Sequence, residues 1–199
     1  SFLYSIRGFF CGYEKNLGTD LIILPTGSGV YCLDASDGSL ISSRCGGGHM
    51  GLFESRASPL LFDNIVYIAT IDPAGLEAYN FLTGKFLWRA DFQIGKFFYG
   101  GGANPWSNFV IDHKKKLLFV NTGSPSYKYT SGVLEKYKYS GSLIAIDSKT
   151  GNIVSQFQEH ETGDTWNHDF VGQPILSPVK INGKVENFIG WRSVHSDHQ

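Results

Sequence analysis

The sequence predicts an all-β fold built from four-stranded antiparallel sheets. Two observations carry this prediction: a strand-and-turn pattern recurs along the chain, and 24 glycines and 15 phenylalanines accompany a single methionine. Glycine supplies the backbone conformations of tight turns, and aromatic side chains favour strands over helices. With 42% hydrophobic and 18% charged residues, the 199-residue chain is expected to fold around one sizeable core.

Three segments share a frame in which Asp or Asn stands four residues before a glycine. They run from Asp34 to Gly38, from Asn80 to Gly84 and from Asp147 to Gly151. An Asx side chain can bond the backbone of its own turn, and glycine readily adopts the positive φ that such turns need. Each segment is therefore predicted to be the turn of a hairpin.

A further pair of strand-like runs precedes the second and third hairpins, and four strands per unit is the content of a β-propeller blade. The repeat glycines lie 46 and then 67 residues apart, which predicts an insertion over residues 124–139 of the later unit. Residues 1–199 are thus predicted to form a single incomplete β-propeller domain. It has about three blades and partial blades at both ends, starting near Leu21 and resuming at Gln173.

Composition limits the partners. The chain has 17 basic and 18 acidic residues, so its net charge is too small to attract nucleic acid. No apolar run in the sequence is long enough for a membrane span. The run from His113 to Lys116 is interpreted as a solvated turn. A propeller ring closes with roughly four to eight blades, so we expect either a homo-oligomer or the remainder of the propeller ring as a partner.

The cysteines and histidines carry no clear metal signal. Cys11, Cys32 and Cys45 leave open one disulfide with a leftover thiol or three buried thiols. Among the histidines, only His195 and His198 have a spacing typical of metal ligands, and they lie at the end of the sequence. No residue is predicted to bind a metal.

Several motifs resemble those of one family. Residues 83–88, Thr-Gly-Lys-Phe-Leu-Trp, resemble the blade motif of the dehydrogenases that use pyrroloquinoline quinone (PQQ). Residues 100–106 with 119–125, and residues 162–176, resemble the active-site blocks of that family. The resemblance implies a fragment of an eight-bladed quinoprotein propeller, PQQ as cofactor, and an extracytoplasmic location, periplasmic or secreted.

The resemblance assigns roles to five positions. Trp106 matches the tryptophan on which the quinone stacks, and Ser124, eighteen residues later, matches a calcium ligand. Trp166 opens the segment that carries the catalytic base, with Asn167 at the position of the base and Asp169 at a second aspartate. The candidate catalytic residues are therefore Asp169 and Asn167, and the candidate cofactor-binding residues are Trp106, Ser124 and Trp166.

The sequence departs from the family at the positions that do chemistry. Asn167 is an amide and cannot act as a general base near neutral pH. Ser124 replaces the asparagine ligand, and the acidic ligand falls near Thr70, so a Ca²⁺ site should be weakened. In a strand, Asp169 would share a face with position 167 and could supply a carboxylate, or it could cap a turn.

Three functions follow from these features. The first is a PQQ-dependent oxidoreductase that acts on a small molecule, an alcohol or a sugar. The second is a hydrolase on the same propeller without quinone, similar to the tetrathionate hydrolases, with Asp169 as the acid-base group. The third is a non-catalytic propeller that binds a protein partner.

Overall fold

The computed structural model describes residues 9–14, 17–26, 29–46, 57–71, 73–92, 103–105, 107–123, 138–158, 170 and 172–191. All the regular secondary structure within these residues is β-strand. The first sheet contains β1 (Phe10–Glu14), β2 (Thr19–Thr26), β3 (Gly29–Asp34) and β4 (Leu40–Gly46). The second contains β5 (Leu60–Phe62), β6 (Ile65–Ile71), β7 (Ala74–Asn80) and β8 (Phe86–Asp91).

The third sheet contains β9 (Val110–Asp112), β10 (Leu117–Asn121), β11 (Ser142–Asp147) and β12 (Ile153–Gln158). The fourth pairs β13 (Ile175–Ile181) with β14 (Lys184–Gly190). All pairs are antiparallel and join strands adjacent in sequence. The all-β architecture of four-stranded antiparallel sheets is confirmed. The first sheet begins at Phe10, so Leu21, expected near the start of the repeats, lies on its second strand.

The second sheet is buried on both faces. Along β6, Val66 and Ile68 belong to a hydrophobic cluster with residues of the first sheet, whereas Tyr67 and Ala69 pack with residues of the third sheet. Side chains alternate between the faces of a strand, so one strand can contribute to two cores. This double burial explains the uninterrupted run Ile65–Ile71, which lacks the polar alternation of a half-exposed strand.

The three predicted hairpin turns are confirmed. In each, the glycine N–H donates to the carbonyl of the Asx residue, at 2.9 Å for Gly38, 2.8 Å for Gly84 and 2.9 Å for Gly151. The Asx side chain accepts from the backbone of its own turn, as Asp147 Oδ1 does from the Thr150 N–H at 2.8 Å. All three glycines have positive φ, between 67° and 75°.

The sequence frame did not reveal a related turn between β9 and β10. Asp112 Oδ1 accepts from the N–H groups of Lys114 and Lys115, and the Lys116 N–H donates to the Asp112 carbonyl at 2.8 Å. Lys116 occupies the glycine position with φ of 58°, and its ammonium group pairs with Asp63 of the second sheet at 2.8 Å. The run from His113 to Lys116 is therefore a turn, as predicted, and its last lysine joins two sheets.

Trp88 links the second sheet to the third. Its indole N–H donates to the Ser148 carbonyl at 3.2 Å, and the Tyr67 hydroxyl donates to the same carbonyl at 3.1 Å. A Cβ atom on Gly151 would lie 2.5 Å from Trp88 Cε3, so the ring lies directly against the glycine of the next hairpin. Burial of the phenol raises the pKa of Tyr67 to about 12.

Of the two open interpretations of the cysteines, the structure supports one disulfide with a leftover thiol. Cys32 on β3 is disulfide-bonded, and Cys11 on β1 carries a free, exposed thiol. Cys32 is fully buried in the core between the first and second sheets. The bond therefore lies inside one of the sheet-to-sheet cores.

The fourth sheet is largely exposed, unlike the second. Apolar side chains on both of its strands face solvent, including Ile175 at 65%, Val185 at 66% and Phe188 at 45% exposure. Its contact with the third sheet includes a bond from the Asn187 side chain to Asp112 Oδ2 at 3.1 Å. None of the described residues forms a helix long and apolar enough to cross a membrane.

Candidate functional site

All five predicted site residues, Trp106, Ser124, Trp166, Asn167 and Asp169, lie outside the described residues. Their roles remain predictions. The described residues flank each candidate closely: residues 103–105 precede Trp106, β10 and residues 122–123 precede Ser124, and Phe170 and Gly172 follow Asp169. The site can therefore be built from these flanking residues.

The three flanking segments meet at the end of β10. The Gly123 N–H donates to the Asn104 carbonyl at 2.8 Å, which joins the segment before Ser124 to the segment before Trp106. The Asn121 amide donates to the Gly172 carbonyl at 2.6 Å, which joins β10 to the segment after Asp169. Stretches separated by up to 68 positions, Asn104 to Gly172, thus converge on one place.

Thr122 holds the end of β10 in place. It is fully buried, its N–H donates to the Ser142 carbonyl at 2.9 Å, and its hydroxyl accepts from the Ser142 N–H at 3.0 Å. The same hydroxyl bonds the Tyr139 carbonyl. Buried groups with several hydrogen bonds have one well-defined position, so the chain leading to Ser124 is fixed by β11 and the turn before it.

Three oxygen atoms in the segments on either side of Trp106 and before Ser124 are buried without a hydrogen-bond partner: Asn104 Oδ1, Ser107 Oγ and Asn121 Oδ1. Over the described part of the chain, they are the buried side-chain polar atoms that lack one. Asn121 is 0% and Ser107 is 7% exposed. Leaving a polar group buried and unpaired costs about 1–3 kcal/mol, so such a group requires an explanation.

The chemistry of these oxygens fits a bound hard cation or a ligand that donates hydrogen bonds. Two are amide carbonyls and one is a hydroxyl, and oxygen atoms of these kinds are among the ligands of Ca²⁺. The described residues contain no cluster of three or more His, Cys, Asp or Glu side chains arranged to hold a metal. The three unpaired oxygens of the described residues are all neutral.

Thr70 lies near the position expected to match the acidic calcium ligand, and its hydroxyl is already engaged in other hydrogen bonds. The Thr70 hydroxyl donates to the Pro73 carbonyl at 2.8 Å and accepts from Arg89 at 3.1 Å. Arg89 also pairs with the fully buried Glu77 at 2.8 Å. Thr70 is thus part of a buried network that braces the β6–β7 turn. The neighbouring Asp72 lies outside the described residues.

Asn104, Ser107 and Asn121 were not among the residues predicted for the site. Asn121 follows the apolar run Leu117–Val120, and an asparagine at the end of a strand usually indicates a turn. The sequence feature that could have identified Asn121 is its position three residues before the candidate Ser124. Burial distinguishes it from a turn residue, and burial of a polar side chain is not visible in the sequence.

Comparison with known proteins agrees with this architecture. The sequence model for the PQQ glucose/ethanol/alcohol dehydrogenase β-propeller domain matches residues 95–190. The glycerol dehydrogenase large subunit of Gluconobacter thailandicus is 26% identical over 185 residues, covering 82% of this chain and 25% of that protein. Quinoprotein glucose dehydrogenase A of Acinetobacter calcoaceticus is 30% identical over 121 residues, 55% of this chain and 15% of that protein.

A solved structure shows the same fold. The quinohemoprotein alcohol dehydrogenase of Pseudomonas putida superposes with a TM-score of 0.65 at 21% identity, covering 90% of this chain and 30% of that one. The prediction of a partial propeller is confirmed. This chain spans a quarter or less of the length of the two curated relatives. Residues 95–190 match the β-propeller domain family of the PQQ-dependent dehydrogenases, and the chain is similar to these quinoproteins over most of its length.

Proposed function

We propose that this chain forms part of a quinoprotein oxidoreductase that binds PQQ and oxidises an alcohol or a sugar. The observation that carries the proposal is the convergence of three segments at the end of β10, where buried oxygens lack partners. These segments flank the predicted quinone platform Trp106 and the predicted carboxylate Asp169. The matched family region, residues 95–190, contains all five candidate residues.

PQQ would supply the electron-accepting chemistry, and the protein would supply binding and orientation. Trp106 would stack against the quinone, with Ser124 and Trp166 nearby as further contacts. Asn167 cannot take the proton of the alcohol, so Asp169 is proposed as the general base that replaces it. In this assignment Asn167 orients the substrate through its amide.

The test is a titration of the purified protein with PQQ in the presence and absence of Ca²⁺. Absorbance reports quinone binding, and dye-linked oxidation of primary alcohols, polyols and aldoses reports activity. We expect saturable PQQ binding that Trp106→Ala abolishes. Unchanged oxidation in Asp169→Asn would remove its assigned role, and failure to bind PQQ at all would refute the proposal.

Asn167 favours a second candidate, a hydrolase on the same propeller that works without quinone. A reaction that does not abstract a proton from an alcohol does not need the missing base. Release of thiosulfate, sulfate and elemental sulfur from tetrathionate and water, without added PQQ, would select this function. We would then expect Asp169→Asn to abolish the release.

We propose an extracytoplasmic location for the protein. The buried disulfide of Cys32 supports it, because disulfides persist in oxidising compartments and are rare in the cytosol. With one disulfide and three cysteines in residues 1–199, this part of the protein should contain one free thiol, Cys11, when it is folded. Three thiols without prior reduction would contradict the disulfide and remove this support.

We further propose that the exposed fourth sheet is covered by the remainder of a propeller ring or by a second copy of the chain. Among the described residues it has two strands, whereas the other three sheets have four. Exposed apolar side chains that share one face of it, such as Ile175 and Phe188, favour burial against another sheet.

A further inference from the structure

We propose that the protein binds a membrane surface with anionic headgroups through one end of its sheets. Five hairpin turns lie at this end, which we call the turn end: residues 63–64, 81–85, 113–116, 148–152 and 182–183. The inference goes beyond the proposed function, because it concerns the surface that the protein binds and not the molecule that it oxidises.

Hydrogen bonds and an ion pair join the turns of the second and third sheets. The Phe81 N–H donates to the Asn64 carbonyl at 2.8 Å, and the Ser148 N–H donates to the Lys116 carbonyl at 2.9 Å. The Lys116 ammonium group then bridges the two sheets through its pair with Asp63 at 2.8 Å. The four turns of these sheets therefore form one continuous surface.

The turn of the fourth sheet lies at the same end. Asn187 of β14 donates to Asp112, which directly precedes a turn of the third sheet. Just after β14, the Trp191 ring contacts the Phe157 ring, with centroids 5.1 Å apart. Phe157 lies at the end of β12 that is remote from the turns. Because β14 therefore runs away from the turn end, its first residue and the turn 182–183 lie at that end.

The turn end is basic, although the chain has a net charge of −1. The five turns, with two residues on either side of each, contain seven lysines and three aspartates. Asp63 pairs with Lys116, and Asp112 and Asp147 accept from N–H groups of their own turns. The six other lysines are exposed: Lys85, Lys114, Lys115, Lys149, Lys180 and Lys184.

Two exposed apolar side chains lie among these lysines. Leu82 is 53% exposed in the same turn as Lys85. Ile181 is 44% exposed and pairs directly with Lys184 across its hairpin. Lysines attract anionic headgroups, and apolar side chains gain free energy when they leave water at the boundary with the acyl chains. The combination favours a lipid surface over an acidic protein, which the lysines alone would match.

Binding through the turn end would leave the candidate site open to solvent. β10 leads from the turn 113–116 to Asn121, where the segments that flank the candidate site meet. A strand of five residues separates its two ends by roughly 15 Å. A small-molecule substrate would therefore reach the site from the aqueous side.

The experiment is co-sedimentation of the purified protein with vesicles of phosphatidylglycerol and phosphatidylcholine, and with vesicles of phosphatidylcholine alone. We expect binding to the anionic vesicles only, and weaker binding as salt is added, because salt screens exposed charges. Lys114→Gln and Lys115→Gln should each weaken binding about fivefold, the contribution of one lysine near an anionic surface. Leu82→Asn should weaken it by a similar factor of about five, because an apolar contact is lost.

The matched control is Lys138→Gln, which removes the same charge from an exposed lysine before β11, at the opposite end of the third sheet. This variant should bind as the wild type does. Absence of vesicle binding, or equal binding of the wild type and the three turn-end variants, would overturn the inference. Retention on immobilised polyglutamate without vesicle binding would also overturn it and assign the turn end to an acidic protein. No quinone is added, so the result does not depend on the proposed oxidoreductase activity.

Discussion

At the scale of single residues, two glycines with the same backbone differ in their surroundings. Gly38 and Gly151 each complete an Asx turn, with φ of 74° and 75°. A Cβ on Gly38 would meet nothing within 4 Å, whereas a Cβ on Gly151 would lie 2.5 Å from Trp88. The pair therefore separates the cost of the left-handed backbone from the cost of the tryptophan contact.

We expect Gly38→Ala to lower the free energy of unfolding by about 1–2 kcal/mol, the cost of a left-handed non-glycine residue. Gly151→Ala should lower it by a further ~1–3 kcal/mol, because the methyl group displaces the packed indole. Urea unfolding of both variants measures the difference. Equal losses would show that Trp88 does not depend on the glycine surface.

Asp147 gives a second test at this scale. The Thr150 N–H, its main hydrogen-bond donor, lowers the pKa of Asp147 below the usual 3.8. A depressed folded pKa means that the stabilisation is present above the unfolded pKa and is lost as the pH falls through the folded pKa. The effect should therefore appear as a loss of stability below about pH 4.

Asn80 occupies the equivalent position in the second sheet and accepts from the Thr83 N–H at 2.9 Å. Asp147→Asn should therefore keep the turn. The free energy of unfolding of this variant should fall less than that of the wild type as the pH drops below about 4. Asp147→Ala should lose roughly 1–2 kcal/mol at neutral pH, because the turn N–H groups lose their acceptor. An acid limb unchanged in Asp147→Asn would locate the pH dependence at other carboxyls, such as Asp112.

At the scale of elements, one carbonyl accepts two hydrogen bonds across the interface between the second and third sheets. Ser148 accepts from both Trp88 and Tyr67, so either donor alone can satisfy it. We expect Trp88→Phe and Tyr67→Phe to lose about 1 kcal/mol each through the missing bond. The double variant should lose more than the sum, because the buried carbonyl is then unpaired. Additive free energies of unfolding would show that water replaces the donors.

The elements that the sequence predicted are those defined by local chemistry. The Asx turns at Asp34, Asn80 and Asp147 were recognisable because one side chain and one glycine determine them. The turn from His113 to Lys116 was predicted from its charge, but its likeness to these Asx turns was not, since a lysine with positive φ carries no sequence signal and is held partly by Asp63 of another sheet. The contact of Trp88 with Gly151 was likewise invisible, because it joins residues of different repeats.

The same limit applies to the candidate site. Motif matching led to Trp106, Ser124 and Asp169, because their neighbours in the sequence repeat a known pattern. It missed Asn121, whose importance comes from burial and from a bond to Gly172, 51 residues later. Contacts over such distances depend on how the sheets pack, and composition and spacing do not encode them.

At the scale of the whole molecule, the difference between the second and fourth sheets leads to a prediction about association. Ile175 of β13 and Phe188 of β14 lie on the same face and are 65% and 45% exposed, on a sheet that has two strands among the described residues. Exposed apolar patches and open strand edges promote pairing with another chain. Residues 1–199 expressed alone should therefore self-associate through the fourth sheet.

We expect Ile175→Lys together with Phe188→Lys to shift these 199 residues toward monomer, because both side chains lie on one face of the sheet and the charges remain solvated only while that face stays open. Light scattering coupled to size-exclusion chromatography measures the shift. Leu82→Lys is the control, since Leu82 is a similarly exposed apolar side chain, at 53%, in the Asn80–Gly84 turn of the second sheet. Association that survives the double change but disappears with Leu82→Lys would place the contact at that turn, and the fourth sheet would need no covering partner.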